Sequence, residues 1–412
     1  APFDFSLDEL HHHIPNDVTV LRYVMVENKL FVLVLSQKQP PIMLPLSSKD
    51  LKEKIIALND RNTKPQQVCS LSNSLYRQLW QPIEKYIQYK RIVIVPDGIL
   101  FNVSFDMLAT KQVTTYADLA KHTLLQQYPI SYQYSLAAMQ FESTVTKMKS
   151  NYIAFAPVFS SEDKLSYKRS MQQDSLHLDK TYLNLLPLPF TLNLVEKVKS
   201  MLGGKLYTNK EATTSSFKTQ AAHHHIIHLG THAESNNDYP EYSRLLFAKE
   251  PSQISDDNSL YLYDIYNCDI TSDLTVLAAC ESGKPGYQDG EGMISLAHAF
   301  KYAGSQAIMT ALWRIDEQSS TQIIEQFYKN LKKGMSKDVA LQQAKITYLQ
   351  QASGRSLSPA YWGGLVILGD PNAIELNDAY DFSYWIGANI FLIAIFLTWF
   401  IISRKSSSSS TV

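Results

Sequence analysis

Six short, mostly apolar runs, RIVIVPDG, NYIAFAP, HIIHLGT, TVLAA, AIMTALW and GLVILGD, recur along this chain. A strand buried on one face alternates apolar and polar residues, whereas a strand covered on both faces reads as a continuous apolar run. Between these runs lie helix-period patterns such as EGMISLAHAFKYAG and STQIIEQFYKNLKKG. Strands alternating with helices predict an α/β fold with a parallel sheet and helices on both of its faces.

The first part differs. From Val18 to Leu46, the runs VTVLRYVMV, KLFVLVLS and PIMLPL are broken by Asn, Lys and Pro, which predicts antiparallel hairpins. Two helices are then expected, one in SSKDLKEKIIALNDR and one in SLSNSLYRQLWQPIEKYIQ, where Leu75, Leu79, Ile83 and Ile87 recur at steps of four. The segment Ser160–Tyr182 is polar and follows neither period, so it reads as a long loop. Lys plus Arg number 38 against 39 Asp plus Glu, a balance that offers no global field to nucleic acid, and no nucleic-acid partner is expected. Three cysteines, Cys69, Cys268 and Cys280, make neither a disulfide framework nor a cysteine-rich zinc site. The chain begins Ala1-Pro2 without a signal pattern and reads as a fragment or a processed product.

Near the other end, Tyr384 to Ile402 holds 19 residues without a charge, enough at ~1.5 Å per residue to cross most of a ~30 Å hydrocarbon core. Tyr384, Trp385 and Trp399 fit interfacial belts, and Arg404-Lys405 follow at once. The expectation is one transmembrane helix at 384–403 in contact with the lipid bilayer, a polar cytoplasmic tail at 404–412, and an extracytoplasmic main domain.

Chemistry concentrates at two strand ends. IIHLGTHA delivers His232, and LTVLAACESG delivers Cys280, 48 residues later. In an open α/β sheet the ends of parallel strands converge on the ligand crevice. A thiol of ordinary pKa ~8.5 becomes an effective nucleophile when an imidazole takes its proton. Either residue alone reads as structural; order, spacing and matching strand-end positions favour a pair. His228 alternates with apolar neighbours and belongs to the other sheet face, while His223, His224 and His225 read as loop residues before the strand. A zinc site from His225, His228 and His232 would need helical spacing, so no metal or other cofactor is expected.

With YRQLWQPI, RIVIVPDGILFNVSFDML, SYQYSLAAMQ, LPLPFTLNLVEKV, EATTSSFK, IIHLGTHA, VLAACESGKPGYQDGEGMISLAHAFKYAGSQAIMTALWRID, FYKNLKKGMSKDVALQQAK and SPAYWGGLVILGDP in order, the chain resembles the CHAT domain, a branch of the caspase-like clan of cysteine peptidases that includes caspases, gingipains and separases. The resemblance implies a caspase-like sheet with helices on both faces, built from a catalytically silent half at 1–158, a polar loop at 159–182 and an active half at 183–377. It implies His232 and Cys280 as a catalytic dyad, with an oxyanion hole from the backbone N–H groups of Cys280 and Ala233. Ala233 stands where the wider clan often has glycine. Acidic candidates for a substrate pocket are Asp289, Glu291, Asp316 and Glu317; resemblance to separases favours Asp316 or Glu317 with a basic P1 residue. Asp316 also reads as a helix N-cap, and Glu291 as a first-turn partner of a helix dipole. A protein or peptide substrate and an activating protein partner acting through upstream tetratricopeptide repeats are further implications. A catalytically silent scaffold with the same fold is the alternative left open.

Overall fold

The strand-like runs do form strands, and they join in one sheet. The computed structural model describes residues 14–139, 147–171, 178–234, 236, 239–249, 258–278, 280–281 and 292–377. Strands β1 (Val18–Val26), β2 (Lys29–Ser36) and β3 (Gln39–Leu46) make an antiparallel meander. Then come β4 (Arg91–Val95), β5 (Ile130–Tyr132), β6 (Ser150–Ala156), β7 (Lys205–Thr208) and β8 (His224–Leu229). Two short strands, β9 (His232–Glu234) and β10 (Arg244–Leu246), precede β11 (Ser259–Tyr261), β12 (Leu274–Leu277) and β13 (Cys280–Glu281). The last two are β14 (Ala307–Ala311) and β15 (Leu365–Gly369).

Eleven strands form the large sheet in the order β3-β2-β1-β4-β5-β15-β14-β12-β8-β6-β7. The other four form a small sheet in the order β11-β10-β9-β13. The large sheet is parallel-dominated but mixed, which corrects the parallel expectation: β15 runs antiparallel to β14. Two long helices, Glu317–Lys332 and Lys337–Gln351, joined by a tight turn through Gly334 at φ 80°, lie between these strands, followed by the one-turn helix Pro359–Trp362. A hairpin of two helices returns the chain to the end where β14 left the sheet, so the next strand runs back. A single crossover helix would have kept it parallel.

The junction of the sheet is β15, which pairs with β5 through Leu368 and Tyr132. Helix Lys337–Gln351 carries its polar ties. Lys345 is fully buried against Asp106, and Arg91 reaches Asp338 at 2.8 Å. Around β6, β8 and β12 the core is aromatic: Phe155 and Phe217 lie 5.3 Å apart edge to face, and Phe217 and Phe300 lie 6.3 Å apart. Ring pairs of this kind contribute about 0.5–1.5 kcal/mol each beyond the area they bury.

Three local expectations change. The segment read as a polar loop contains helices Ser161–Ser170 and Lys180–Asn184. Ser160 and Asp179 cap them by accepting from the N–H groups of Asp163 (3.1 Å) and Tyr182 (3.0 Å), and Tyr167 and Tyr182 supply their buried face. Two tyrosines in so polar a stretch are too few to give a period. The second expected helix starts earlier, at Pro65, and ends as α-helix at Leu75, passing through a wide turn at Tyr76–Trp80 before Pro82 removes the next donor. His224 and His225 belong to β8 rather than to a loop. The apolar segment 384–403 and the tail 404–412 lie outside the described residues; among the described residues no helix is long and apolar enough to cross a membrane.

Candidate active site

Strands β8 and β12 are parallel neighbours, with Leu229 paired to Leu277 at their ends. Each chain then steps out of the large sheet into the small one. There β9 and β13 pair in parallel with Cys280 opposite His232. Neighbouring strands lie about 4.8 Å apart, so the backbone alone makes these two positions adjacent. Gly230 makes the step possible: a Cβ there would lie 2.3 Å from Thr191 Cγ2 on helix Pro189–Leu202. Thr231 fixes the next position by donating its hydroxyl to the Leu246 carbonyl.

His232 is 8% exposed and packs on the Phe159 ring, centroids 5.2 Å apart. Its Nε2 lies 2.7 Å from the carbonyl oxygen of Leu186. A carbonyl only accepts, so Nε2 carries the proton and Nδ1 of the neutral ring keeps its lone pair. Burial holds the imidazole below its ordinary pKa; the Leu186 bond opposes this, Arg314 and Lys164 add to it, and Glu234 opposes it weakly. Neutral at pH 7, the ring is ready to accept a proton.

A cleft of about 860 Å³ opens beside this histidine, walled by Leu185–Leu188 on one side and by Arg314, Asp316 and Glu317 on another. Both acids also serve the fold. Asp316 caps helix Glu317–Lys332, one oxygen accepting from the Ser319 N–H at 2.9 Å. Glu317 accepts from the Thr191 N–H (3.0 Å) and hydroxyl (3.1 Å), and burial raises its pKa. Asp289 and Glu291 lie outside the described residues. Ala233 is fully buried on β9, between Leu245 of β10 and Glu281 of β13.

The reading of the residues missed the Leu186 carbonyl and the cleft arginines Arg61, Arg314 and Arg355. Only Arg314 carried a signal, as the residue two before Asp316. The wall bearing Arg314 rests on Trp313, whose indole N–H donates to the Ala360 carbonyl at 3.3 Å and whose ring covers Gly363 and Gly364. A Cβ at Gly364 would come within 2.9 Å of the indole. Gly364→Ala is therefore expected to destabilise the fold by about 1–3 kcal/mol in urea melts, the range for overpacking.

Three of the neighbouring histidines have structural partners. His228 is fully buried, with Nδ1 2.8 Å from the Tyr328 hydroxyl, and burial pushes its pKa down to about 3. His224 bonds Ser150 through Nδ1 at 2.8 Å, and His225 bonds Asp273 through Nδ1 at 2.5 Å. Among the described residues no group of three or more His, Cys, Asp or Glu is placed to hold a metal ion. His228 has a pH consequence. Unfolded, it binds a proton below its ordinary 6.5, and folded it stays neutral until about 3. Stability therefore falls as pH drops through this window, by up to ~1.4 kcal/mol per pH unit for this one group. Urea melts between pH 7 and 4 check it: His228→Gln should flatten the slope by about one proton.

Comparison with known proteins agrees with this architecture. The yeast separase in the Saccharomyces cerevisiae separase–securin complex superposes with a TM-score of 0.53 at 10% identity, over 88% of this chain and 31% of that chain. Human tetratricopeptide repeat protein 28 is 21% identical over 321 residues, 70% of this chain. Its mouse counterpart is 26% identical over 114 residues, 28% of this chain. The chain spans only 12% of the human relative's length and 4% of the mouse relative's. The CHAT domain pattern matches residues 70–370, well over half of the chain, and the chain belongs to the CHAT domain family.

Proposed function

We propose that this chain is a CHAT-type cysteine endopeptidase in which His232 is the base and Cys280 the nucleophile. The observation that carries the reading is the β9–β13 register, which sets Cys280 opposite a neutral histidine at the wall of a peptide-sized cleft. Nδ1 of His232 takes the thiol proton, and the thiolate attacks the scissile carbonyl, with the Cys280 backbone N–H stabilising the oxyanion. The imidazolium returns its proton to the leaving amine, and water hydrolyses the thioester. No cofactor takes part.

A basic P1 side chain would meet the carboxylates of Asp316 and Glu317 at the cleft wall. Asp316→Asn combined with Glu317→Gln is expected to lower kcat/KM for Arg-P1 peptides by about 10–100-fold, the loss of one or two charge-assisted bonds. Equal loss on a peptide with Gln at P1 would rule this assignment out. The apolar segment 384–403 would anchor the domain to a bilayer with the 404–412 tail inside the cell, and upstream tetratricopeptide repeats binding a protein partner would govern activity. Covalent modification of Cys280 by a peptide electrophile, lost in His232→Ala, tests the dyad. Absence of labelling in the full-length protein with its partner bound would leave a catalytically silent scaffold instead.

A further inference from the structure

The left-handed region of backbone space is costly for residues with a Cβ, most of all for a β-branched one. Val158 and Phe159 both occupy it, at φ 53° and 56°, and both are buried, at 6% and 0% exposure. The Phe159 N–H donates to the Pro157 carbonyl at 2.5 Å, closing a three-residue turn at the end of β6. Such turns are uncommon and strained. Strand β6 lies beside β8, and the Gly230 N–H donates to the Phe155 carbonyl at 3.0 Å, so the strained turn sits next to the step that delivers His232.

The turn makes two connections. Its Phe159 ring lies against His232 and, at 5.9 Å, against Tyr182. Its Val158 carbonyl accepts from the Leu188 N–H at 2.9 Å. Leu188 ends the strap whose Leu186 carbonyl holds His232 Nε2, and Lys164 clasps the same strap at the Leu185 carbonyl. The Leu-Pro-Leu-Pro sequence from 186 to 189 stiffens it, because each proline fixes its own φ and restricts the residue before it. One strained turn therefore carries the ring packed on the imidazole and is tied to the strap whose carbonyl meets Nε2.

We infer that the Val158–Phe159 turn is a positioning device for the base: it shields one side of His232 from water and holds it in the Nε2–H tautomer, leaving Nδ1 to act on Cys280. This rests on the dyad reading above. The energy stored in the turn is spent on geometry that a relaxed extended chain at 158–159 would not supply, since extended backbone would carry Phe159 and the Leu188 tie away from the histidine.

The test follows the His232 ring by NMR titration, its resonance assigned with His232→Gln. In parallel, the pH dependence of Cys280 alkylation by iodoacetamide is read peptide by peptide in a mass spectrometer. The charged groups acting on the ring are Arg314, Lys164 and Glu234, and all three are kept. Removing the Phe159 wall admits water, and burial is the main cause of the depressed pKa, so the shift must be upward. Phe159→Ala is expected to raise the His232 midpoint by about one pH unit and move the acid limb of alkylation up with it, Phe159→Leu by less. Val158→Pro cannot adopt positive φ, and should produce the same upward shift while keeping the ring. A purely structural phenylalanine would lower stability and leave both midpoints in place; unmoved midpoints in a folded Phe159→Ala or, if that variant does not fold, in Phe159→Leu overturn the proposal. Wild-type alkylation indifferent to His232→Ala would instead overturn the dyad reading, whatever the ring titration shows.

Discussion

His232→Ala is expected to slow alkylation of Cys280 at pH 7 by about 10²–10⁴-fold, the usual contribution of a positioned general base. The thiolate is the reactive species, a free thiol holds only a few per cent of it at neutral pH, and the opposing register position is a neutral imidazole with one nitrogen unprotonated. The chain carries its own internal standards. Cys69 is fully buried and burial pushes its thiol up to about 11, while Cys268 is partly buried and also raised. Neither should respond to His232. The wild-type acid limb should fall below the ordinary histidine value of 6.5, because burial lowers the ring's pKa. Iodoacetamide kinetics from pH 4 to 9, with each cysteine quantified by peptide mass, measure both effects. Equal rates for the three cysteines in wild type would contradict the account.

Lys345→Met should destabilise the protein by about 3–5 kcal/mol, because it strands the Asp106 carboxylate without a partner in the interior. Lys345 is 0% exposed and Asp106 6%. The pair joins helix Lys337–Gln351 to the short turn Phe105–Met107, beneath the β5–β15 junction of the sheet. Paired, the two charges contribute little net stability, since desolvation offsets most of their attraction. Removing both should therefore recover most of the loss: Lys345→Met combined with Asp106→Leu is expected within about 2 kcal/mol of wild type in urea melts. A double variant as unstable as the single one would show that the charges hold the junction by attraction.

The strands of the sheet were legible because burial on both faces writes continuous apolar runs, and β4, β6, β8, β12, β14 and β15 fall on them. The reversal at β15 was not, because strand direction depends on how many helices intervene and how they pack. Helix Ser161–Ser170 was hidden by its composition, since Tyr167 is its one buried side chain. At the site, His232 and Cys280 stood out by residue type and by equivalent positions at strand ends. The Leu186 carbonyl could not, because backbone acceptors are present at every residue and only the fold chooses among them. Asp316 carried two roles in the sequence, cap and pocket acid. The structure shows the first through Ser319 and places the same residue on the cleft wall.

The most direct test of the central claim is a cleavage profile. The full-length protein, with any bound partner retained, is incubated with a proteome-derived peptide library alongside its Cys280→Ala variant, and new peptide termini are identified by mass spectrometry. The dyad account predicts termini in the wild-type digest that are missing from the variant's, enriched for Arg or Lys at P1. Identical terminus profiles for the two proteins would contradict it.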